Sequence, residues 1–362
     1  MRFNHLFRVL LSLILLTVCQ LARAEPMLNG ISVQQELGQE VFIGALYTES
    51  LSNNADTLIS TNQPARMELK IASAEGMTTR RFSRMWIEGM AINSKADVLT
   101  AQADNMVKFD GLFKGRFLKD DHIVFANTPD KGVNISVNGV LLGNIKDNLF
   151  FSMLLSTWIG KIPLSSDYRD SLLKVGDVNA ALRTRFEGIK PSAARMAEIN
   201  TWTGAQVAAV TKSSASSKAA SSVATAEKPV AVVAAPVAKP VVTPAAPAKA
   251  VEEDDDSSAL TAQSLLARQF YVSDAIKKIR SKTKYPQRAL DRGQAGNVRV
   301  GIIIDRQGNI IGTNILENSK FELLNKEAIE AIKRSAPFPA LPAEIAGARF
   351  EFSVPMRWTL PE

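Results

Sequence analysis

Few residues in this sequence could carry out covalent or metal chemistry. The 362 residues include one cysteine, Cys19, and two histidines, of which only His122 lies beyond residue 24. One histidine without a cysteine cannot build the common zinc sites, and no hydroxyl nucleophile is recognisably paired with it. Asp120 and Asp121 precede His122 at the start of a strand pattern, so we expect a solvated loop histidine. The sequence therefore predicts no metal, no cofactor and no catalytic residue.

Composition sets the class of protein. Lysine and arginine number 43 against 36 acidic residues, which gives a net charge of +7, and 46% of the residues are hydrophobic. This basic excess is too dilute for a nucleic-acid-binding protein, because no arginine-rich block with interleaved aromatic residues occurs. The length and the apolar content suit two folded domains with sizeable cores.

Residues 1–24 have the pattern of a secretory signal peptide. Arg2 and Arg8 precede an apolar core of about ten residues, and Ala22-Arg23-Ala24 forms a small-x-small cleavage site. A membrane span needs roughly 20 apolar residues. We therefore expect cleavage, which removes Cys19, and export to the periplasm with no permanent membrane span. The alternative is an uncleaved inner-membrane anchor through residues 6–21.

Residues 204–258 form the predicted linker between the two domains. Proline recurs at positions 229, 236, 240, 244 and 247, and the segment contains no aromatic residue. Such a segment cannot bury enough apolar area to offset the entropy of ordering its backbone. We expect a disordered linker that holds a domain of residues 25–203 away from a domain of residues 259–362. It serves either as a passive spacer or as a device for reach.

The N-terminal domain shows an α+β pattern, an antiparallel sheet with helices on one face. Apolar and polar residues alternate through Met67–Ile71, and Pro129–Gly132 is a turn between two strands of a hairpin. Asp147 is positioned to cap an apolar helix. The predicted elements are strands at 41–47, 67–71, 122–126 and 133–137, and helices at 78–90, 93–112, 149–159 and 167–173, followed by helical segments in 179–203.

This order of motifs resembles the bacterial chalcone isomerase-like domains. The matching motifs are Leu28-Asn29-Gly30, Gly44-Ala45-Leu46-Tyr47, Trp86-Ile87-Glu88-Gly89, Asn138-Gly139, Leu154-Leu155, Trp158-Ile159-Gly160-Lys161-Ile162-Pro163-Leu164 and Leu172-Leu173. The resemblance implies an open β-sandwich with a pocket between a large antiparallel sheet and a helix layer. It makes Tyr47, Trp86 and Trp158 candidates for the pocket lining, and its members include flavonoid isomerases and fatty-acid-binding proteins.

The enzymatic version of this family depends on an arginine near the start of the first core strand. Here Met27–Val41 contains no arginine or lysine, and the first arginine after the signal is Arg66. A developing oxyanion would lose several kcal/mol of stabilisation without that cation. We therefore expect a non-catalytic ligand-binding domain. The alternatives are an isomerase or lyase acting on flavonoid-like substrates, and a carrier of fatty acids or other apolar molecules.

The C-terminal domain is a smaller α+β unit. A helix over Leu260–Lys284 ends in a basic cluster, which either complements the helix dipole or faces an acidic partner. Tyr285-Pro286 forces the helix to end. A ββαβ pattern follows, with strands at 296–305, 310–316 and 349–359 and a helix at 321–335.

The spacing of motifs in this domain resembles the TonB C-terminal domain. They are Tyr285-Pro286, Ala289, Gly296-x-Val298-x-Val300, Asp305-x-x-Gly308, Ala328, Pro337-Phe338-Pro339-x-Leu341-Pro342 and Phe350-x-Phe352-x-Val354-Pro355. Asn325 stands where many relatives carry aspartate. The resemblance implies that a partner segment is added as a strand beside the last strand of the sheet. The candidate binding residues are Arg349, Phe350, Glu351, Phe352, Ser353 and Val354, with Tyr285 and Pro286 shaping the rim.

Within this last strand the alternation assigns two roles. Phe350, Phe352 and Val354 are expected to close the domain core, which leaves Arg349, Glu351 and Ser353 facing outward for a partner. We thus expect a periplasmic TonB-family protein that binds an outer-membrane TonB-dependent transporter or another envelope protein. The alternative, if the N-terminal segment is uncleaved, is a membrane-anchored TonB energy transducer.

Overall fold

The structure is a computed structural model that describes residues 25–203 and 260–361. The predicted signal peptide and the whole of the predicted linker, residues 204–258, lie outside the described residues. What remains is two α+β domains, each with an antiparallel sheet, so the predicted fold class is confirmed.

A six-stranded antiparallel sheet forms the centre of the N-terminal domain. Its strand order is β1-β2-β3-β6-β7-β8, so only the β3 to β6 step leaves sequence order. The strands are β1 (Met27–Glu36), β2 (Gln39–Thr48), β3 (Ala65–Ile71), β6 (His122–Thr128), β7 (Gly132–Val137) and β8 (Val140–Ile145), and β4 (Met77–Thr78) pairs separately with β5 (Arg116–Phe117). The predicted hairpin corresponds to β6 and β7.

Helices cover one face of this sheet. The described helices of the domain are α1 (Ala55–Ser60), α2 (Thr79–Asn93), α3 (Ala96–Ala101), α4 (Ala103–Asp110), α5 (Asn148–Ile159), α6 (Ser166–Leu172), α7 (Ala180–Gly188) and α8 (Ala193–Thr201). The Asp147 side chain accepts from the Leu149 amide at 2.9 Å, as predicted for the cap of α5. The single helix predicted over residues 93–112 is instead two helices, because Gln102 leaves the helical region at φ −101°, ψ 3°.

The second face of the sheet is partly covered as well. Phe186 of α7 is buried against Ile31, Ile43 and Ala45, which point away from the main helix layer. This packing follows from the alternation of side chains along β2, where successive residues face opposite sides. The sheet is therefore less open than the sequence indicated.

The C-terminal domain packs two helices on one face of a three-stranded sheet of order β10-β9-β11. Its elements are α9 (Ala262–Lys282), α10 (Gln287–Leu290), β9 (Gly296–Asp305), β10 (Ile310–Glu317), α11 (Glu322–Ser335) and β11 (Arg349–Trp358). The helices bury the even-numbered residues of β9 and β11, among them Val300 and Phe352. Each predicted element of this domain is present.

The two domains pack directly against each other. Leu265 of α9 is buried in the N-terminal core, and Ala91 of α2 belongs to the C-terminal core. An ion pair of 2.7 Å joins Arg299 of β9 to Glu36 of β1. The expectation of two separated bodies is therefore wrong for the described residues. The first half of α9 carries apolar side chains that the small C-terminal sheet does not cover, and the N-terminal helices bury them.

Candidate functional site

Strand β11 lies at one edge of the C-terminal sheet. It pairs with β9 in unbroken antiparallel register from Arg349↔Asp305 to Trp358↔Gly296. In an antiparallel pair, the backbone amide and carbonyl of one residue both point to the neighbouring strand, and those of the next residue both point to the free side. The Ser353 amide donates to a side chain outside the sheet, so the odd-numbered residues direct their backbone groups toward the free edge.

The even-numbered residues of β11 fill the domain core, as the alternation predicted. Phe350, Phe352 and Val354 are all buried. The Tyr271 ring meets the Phe350 ring edge-on at 5.7 Å between centroids, and the Phe338 ring meets Phe352 at 6.0 Å. Burial raises the pKa of Tyr271 to about 12. These aromatic contacts hold β11 flat against the helices, which fixes the position of its free edge.

The odd-numbered residues of β11 differ from the prediction at one position. Arg349 is half-buried and Glu351 is exposed, as expected for outward residues. Ser353 is buried, because Glu88 of α2 lies against it. One carboxylate oxygen of Glu88 accepts from the Ser353 amide at 3.0 Å, and the other accepts from the Ser353 hydroxyl at 2.5 Å. The expectation of a freely accessible Ser353 is thus wrong.

Proline limits how far the free edge of β11 can pair. Pro355 is one of the odd-numbered residues, so its backbone nitrogen points toward the free edge. A proline nitrogen carries no hydrogen and therefore cannot donate to an added strand. Proline on an edge strand is a common protection against unwanted pairing. The backbone donors on this side precede it at Arg349, Glu351 and Ser353. An added strand therefore pairs along the first half of β11.

Tyr285 and Pro286 lie at the opposite end of β11. The Tyr285 hydroxyl donates to the Gln294 carbonyl at 2.6 Å, and Pro286 precedes the first turn of α10. Trp358, the last residue of β11, donates its indole N–H to the Lys284 carbonyl at 2.9 Å. The structure therefore does not bring Tyr285 and Pro286 next to Arg349–Val354 along the strand.

The three aromatic residues proposed for the N-terminal pocket do not share one cavity wall. Trp86 and Trp158 are fully buried in the core between the sheet and the helices. Trp86 meets Phe109 edge-on at 5.3 Å, and Trp158 stacks on Phe125 at 5.9 Å. Tyr47 packs on the other face of the sheet. Both tryptophan rings are thus part of the packed core between the sheet and the main helix layer.

His122 belongs to a charged cluster on that other face. It lies in β6, not in a loop, and its Nε2 is 2.8 Å from Glu68 Oε2, so the expectation of a solvated loop histidine is wrong. Arg66 bonds the other oxygen of Glu68 at 2.5 Å and sits over the Tyr47 ring. Burial would raise the pKa of Glu68, but His122 and Arg66 outweigh it and lower that pKa. Every charge in this cluster has a partner, which is the arrangement of a structural ion-pair network.

Comparison with known families agrees with both parts of the architecture. Residues 14–174 match the family model described as chalcone isomerase-like, and residues 281–360 match the C-terminal domain of the Gram-negative bacterial TonB protein. One part of the chain is therefore similar to the chalcone isomerase-like family, and another part is similar to the TonB C-terminal domain. Both family resemblances inferred from the sequence motifs are confirmed.

Individual relatives match one domain at a time. The protein TonB of Helicobacter pylori is 31% identical over 84 residues, which is 23% of this chain and 28% of that protein. A solution structure of the TonB C-terminal domain from the same organism aligns with 24% identity and a TM-score of 0.23, over 29% of this chain and 89% of that one. A crystal structure of a fatty-acid binding protein from Arabidopsis thaliana aligns with 16% identity and a TM-score of 0.34, over 41% of this chain and 87% of that one.

Two kinds of feature are absent from the residues that the structure describes. Within residues 25–203 and 260–361, no helix has the length and apolarity needed to cross a membrane. In the same two ranges, no three histidine, cysteine, aspartate or glutamate side chains are grouped closely enough to hold a metal ion.

Proposed function

We propose that this chain is an exported periplasmic protein whose C-terminal domain binds an outer-membrane TonB-dependent transporter, or another envelope protein, by strand addition at β11. The observation that carries the proposal is the edge position of β11, where the Ser353 amide is bonded to no strand. Backbone amides on such an edge supply affinity to an added strand, and the alternating side chains supply selectivity. The match to the TonB C-terminal family supports the choice of partner.

The partner strand pairs with the segment Arg349–Val354. The even-numbered side chains of this segment are buried in the domain, so the partner is read by the backbone and by the side chains of Arg349 and Glu351. Pro355 marks the end of the paired segment. A partner segment of about five or six residues would fill it, which is a usual strand length.

For the N-terminal domain we propose a non-catalytic role. The first arginine of the domain, Arg66, is held by Glu68 and Tyr47 on the sheet face opposite Trp86 and Trp158. It cannot polarise a carbonyl bound between the sheet and the main helix layer. We expect the purified full chain to show no turnover of chalcone, followed by absorbance. Measurable turnover that is lost in a heat-denatured sample would contradict this role. Copurifying fatty acid, sought by native mass spectrometry, would instead identify a carrier.

Strand addition is tested by removing one outward amide without changing the ladder to β9. Glu351→Pro removes such an amide, and Glu351→Ala is the matched control because it removes the same side chain and keeps the amide. Each full-length variant is immobilised and incubated with detergent-solubilised outer-membrane proteins of the host bacterium. We expect a set of proteins retained by the alanine variant and depleted roughly tenfold with the proline variant, which corresponds to about one lost backbone hydrogen bond. Equal retention by both variants would rule out pairing at this edge.

Export is tested separately. Fractionation of the host cells, with sequencing of the N-terminus, is expected to give a periplasmic protein that begins after residue 24. A mature protein that keeps residues 1–24 in the inner membrane would support the energy-transducer alternative.

A further inference from the structure

Helix α2 of the N-terminal domain lies against the edge of β11 that we propose for docking. Glu88 accepts both the amide and the hydroxyl hydrogen of Ser353, at 3.0 Å and 2.5 Å. One turn earlier on α2, Arg84 forms an ion pair with Glu351. The helix therefore engages two successive outward residues of the strand, one through its backbone.

The spacing of these contacts shows that α2 runs alongside β11. Arg84 and Glu88 are four positions apart on the helix, a rise of about 6 Å, and Glu351 and Ser353 are two positions apart on the strand, a rise of about 6.6 Å. The helix and the strand thus advance together in the same direction. One turn further on, Ala91 and Ile92 pack into the C-terminal core. The contact is continuous through the second half of α2.

Other contacts hold the two domains in this arrangement. The amide of Leu37, in the β1–β2 turn, donates to the carbonyl of Leu316 in β10 at 2.7 Å. Ser165 bonds Glu317 of the same strand at 3.1 Å, and Leu265 of α9 is buried in the N-terminal core. The N-terminal domain thus contacts both edge strands of the C-terminal sheet.

We propose that α2 is an internal ligand of β11, so that a partner strand can pair with Arg349–Val354 only after α2 has moved away. This inference rests on the proposed strand addition. The Ser353 amide is the donor that an added strand would need, and it already donates to Glu88. The helix also occupies the space beside the strand, since Ser353 is buried although it belongs to an edge strand.

The chemistry of the contact suits release. Glu88 is buried, and its carboxylate accepts a hydrogen bond from the Ser353 hydroxyl. Arg84, the nearest cation on the same helix, is paired with Glu351 instead. Burial raises the pKa of Glu88 to about 7, against weaker opposing effects of Arg84, Ser353 and Arg299. The charged groups that face this contact are Arg84 of α2, Arg299 of β9, Glu351 of β11 and, paired with Arg299, Glu36 of β1. Ionisation of the buried Glu88 carboxyl therefore favours the state in which α2 has moved away from β11.

A photo-crosslinker at position 349 tests this proposal. Benzoylphenylalanine replaces Arg349 in the full chain, on the same side of β11 as Glu351, and the protein is irradiated in host cells. Products are separated by size and mapped by mass spectrometry. The variants are Arg84→Glu, which repels Glu351, the charge-swapped pair Arg84→Glu with Glu351→Arg, and the control Glu49→Gln at an exposed site. Glu88→Gln is added as a volume-matched change at the buried position.

In the wild-type background we expect an intramolecular crosslink from position 349 into the first half of α2. Arg84→Glu is expected to reduce this product and to increase adducts to other envelope proteins roughly fivefold. A fivefold change corresponds to the loss of about 1 kcal/mol, which is the contribution of one such ion pair. The charge-swapped pair is expected to restore the wild-type pattern, and Glu49→Gln to leave it unchanged.

Four results would overturn the proposal. Absence of the crosslink into α2 in the wild type would show that the helix does not cover β11 in cells. Adducts to other proteins that are equally abundant in wild type and Arg84→Glu would show that α2 does not compete, while strand addition would stand. A crosslink into α2 with no outside adduct in any variant would reject the competition together with strand addition. A covalent dimer of this chain would assign the covering helix to a second copy and would contradict an internal ligand.

Discussion

The buried carboxyl of Glu88 should make the stability of this protein depend on pH in a defined direction. The pKa of Glu88 is raised from 4.5 to about 7 in the folded chain, because burial penalises its charge. Between these two values the folded state holds a proton that the unfolded state has lost. Stability is therefore lost as the pH rises through this window, in the opposite sense to a salt-bridged carboxylate.

The magnitude follows from the size of the shift. A pKa difference of about 2.5 units, at 1.36 kcal/mol per unit, corresponds to about 3 kcal/mol of unfolding free energy. Glu88→Gln removes the ionisation and keeps the side-chain volume. Its amide oxygen can still accept from the Ser353 amide, and its NH₂ group can donate to the Ser353 hydroxyl. We expect the variant to gain about 2.5 kcal/mol over wild type between pH 5 and pH 8, because part of the total difference has already developed below pH 5.

Urea denaturation at pH 5, 6, 7 and 8, followed by tryptophan fluorescence, measures this difference. Other groups titrate equally in both proteins and cancel when the two curves are subtracted. Glu49→Gln is the matched control at an exposed position and should run parallel to wild type. A difference between wild type and Glu88→Gln that stays constant over this range would refute the account of Glu88.

Three further predictions use the same denaturation assay. Phe352→Ala should cost about 3–5 kcal/mol because the ring is buried in the C-terminal core, whereas Ile311→Ala, at an exposed site, should cost less than about 1 kcal/mol. Arg195→Met should cost about 3–5 kcal/mol by leaving buried Asp121 without its ion-pair partner, 2.7 Å away; a loss below about 1 kcal/mol would contradict this. Burial opposes the ionisation of Glu36, but Arg299 and Arg81 outweigh it and lower the pKa of Glu36 to about 2. Between pH 4.5 and pH 2 the wild type should therefore lose up to about 3 kcal/mol of unfolding free energy relative to Glu36→Gln. Parallel stability profiles of the two proteins in acid would contradict this.

The sequence allowed most of the elements to be predicted, because local signals determine them. Alternation located β3 and β11, a cap at Asp147 located α5, and the Tyr285-Pro286 step ended the long helix near its observed end. The misplaced boundary at Gln102 has a non-local cause. Its side chain donates to Asp147 at 2.6 Å, and no pattern within residues 93–112 indicates that contact.

The packing of the two domains was beyond prediction for a related reason. Glu88 was part of a recognised motif, yet a glutamate on an amphipathic helix is usually solvated. The role of Glu88 as a hydrogen-bond acceptor depends on Ser353, which lies 265 residues away in the sequence. The long linker led us to expect separated domains, but linker composition carries no information on whether its two ends lie close together. One signal was present: the first half of α9 carries Leu265 and Leu266, more apolar surface than a small domain needs.

Hydrogen exchange on the full chain, with and without a captured envelope protein, tests the central claim most directly. Peptides that cover Arg349–Val354 should gain protection in the complex, because their outward amides become paired with the partner strand. Peptides that cover the second half of α2 should lose protection in the same sample, since the helix leaves the edge. Protection gained only at other surfaces, with residues 349–354 and α2 unchanged, would contradict strand addition at β11.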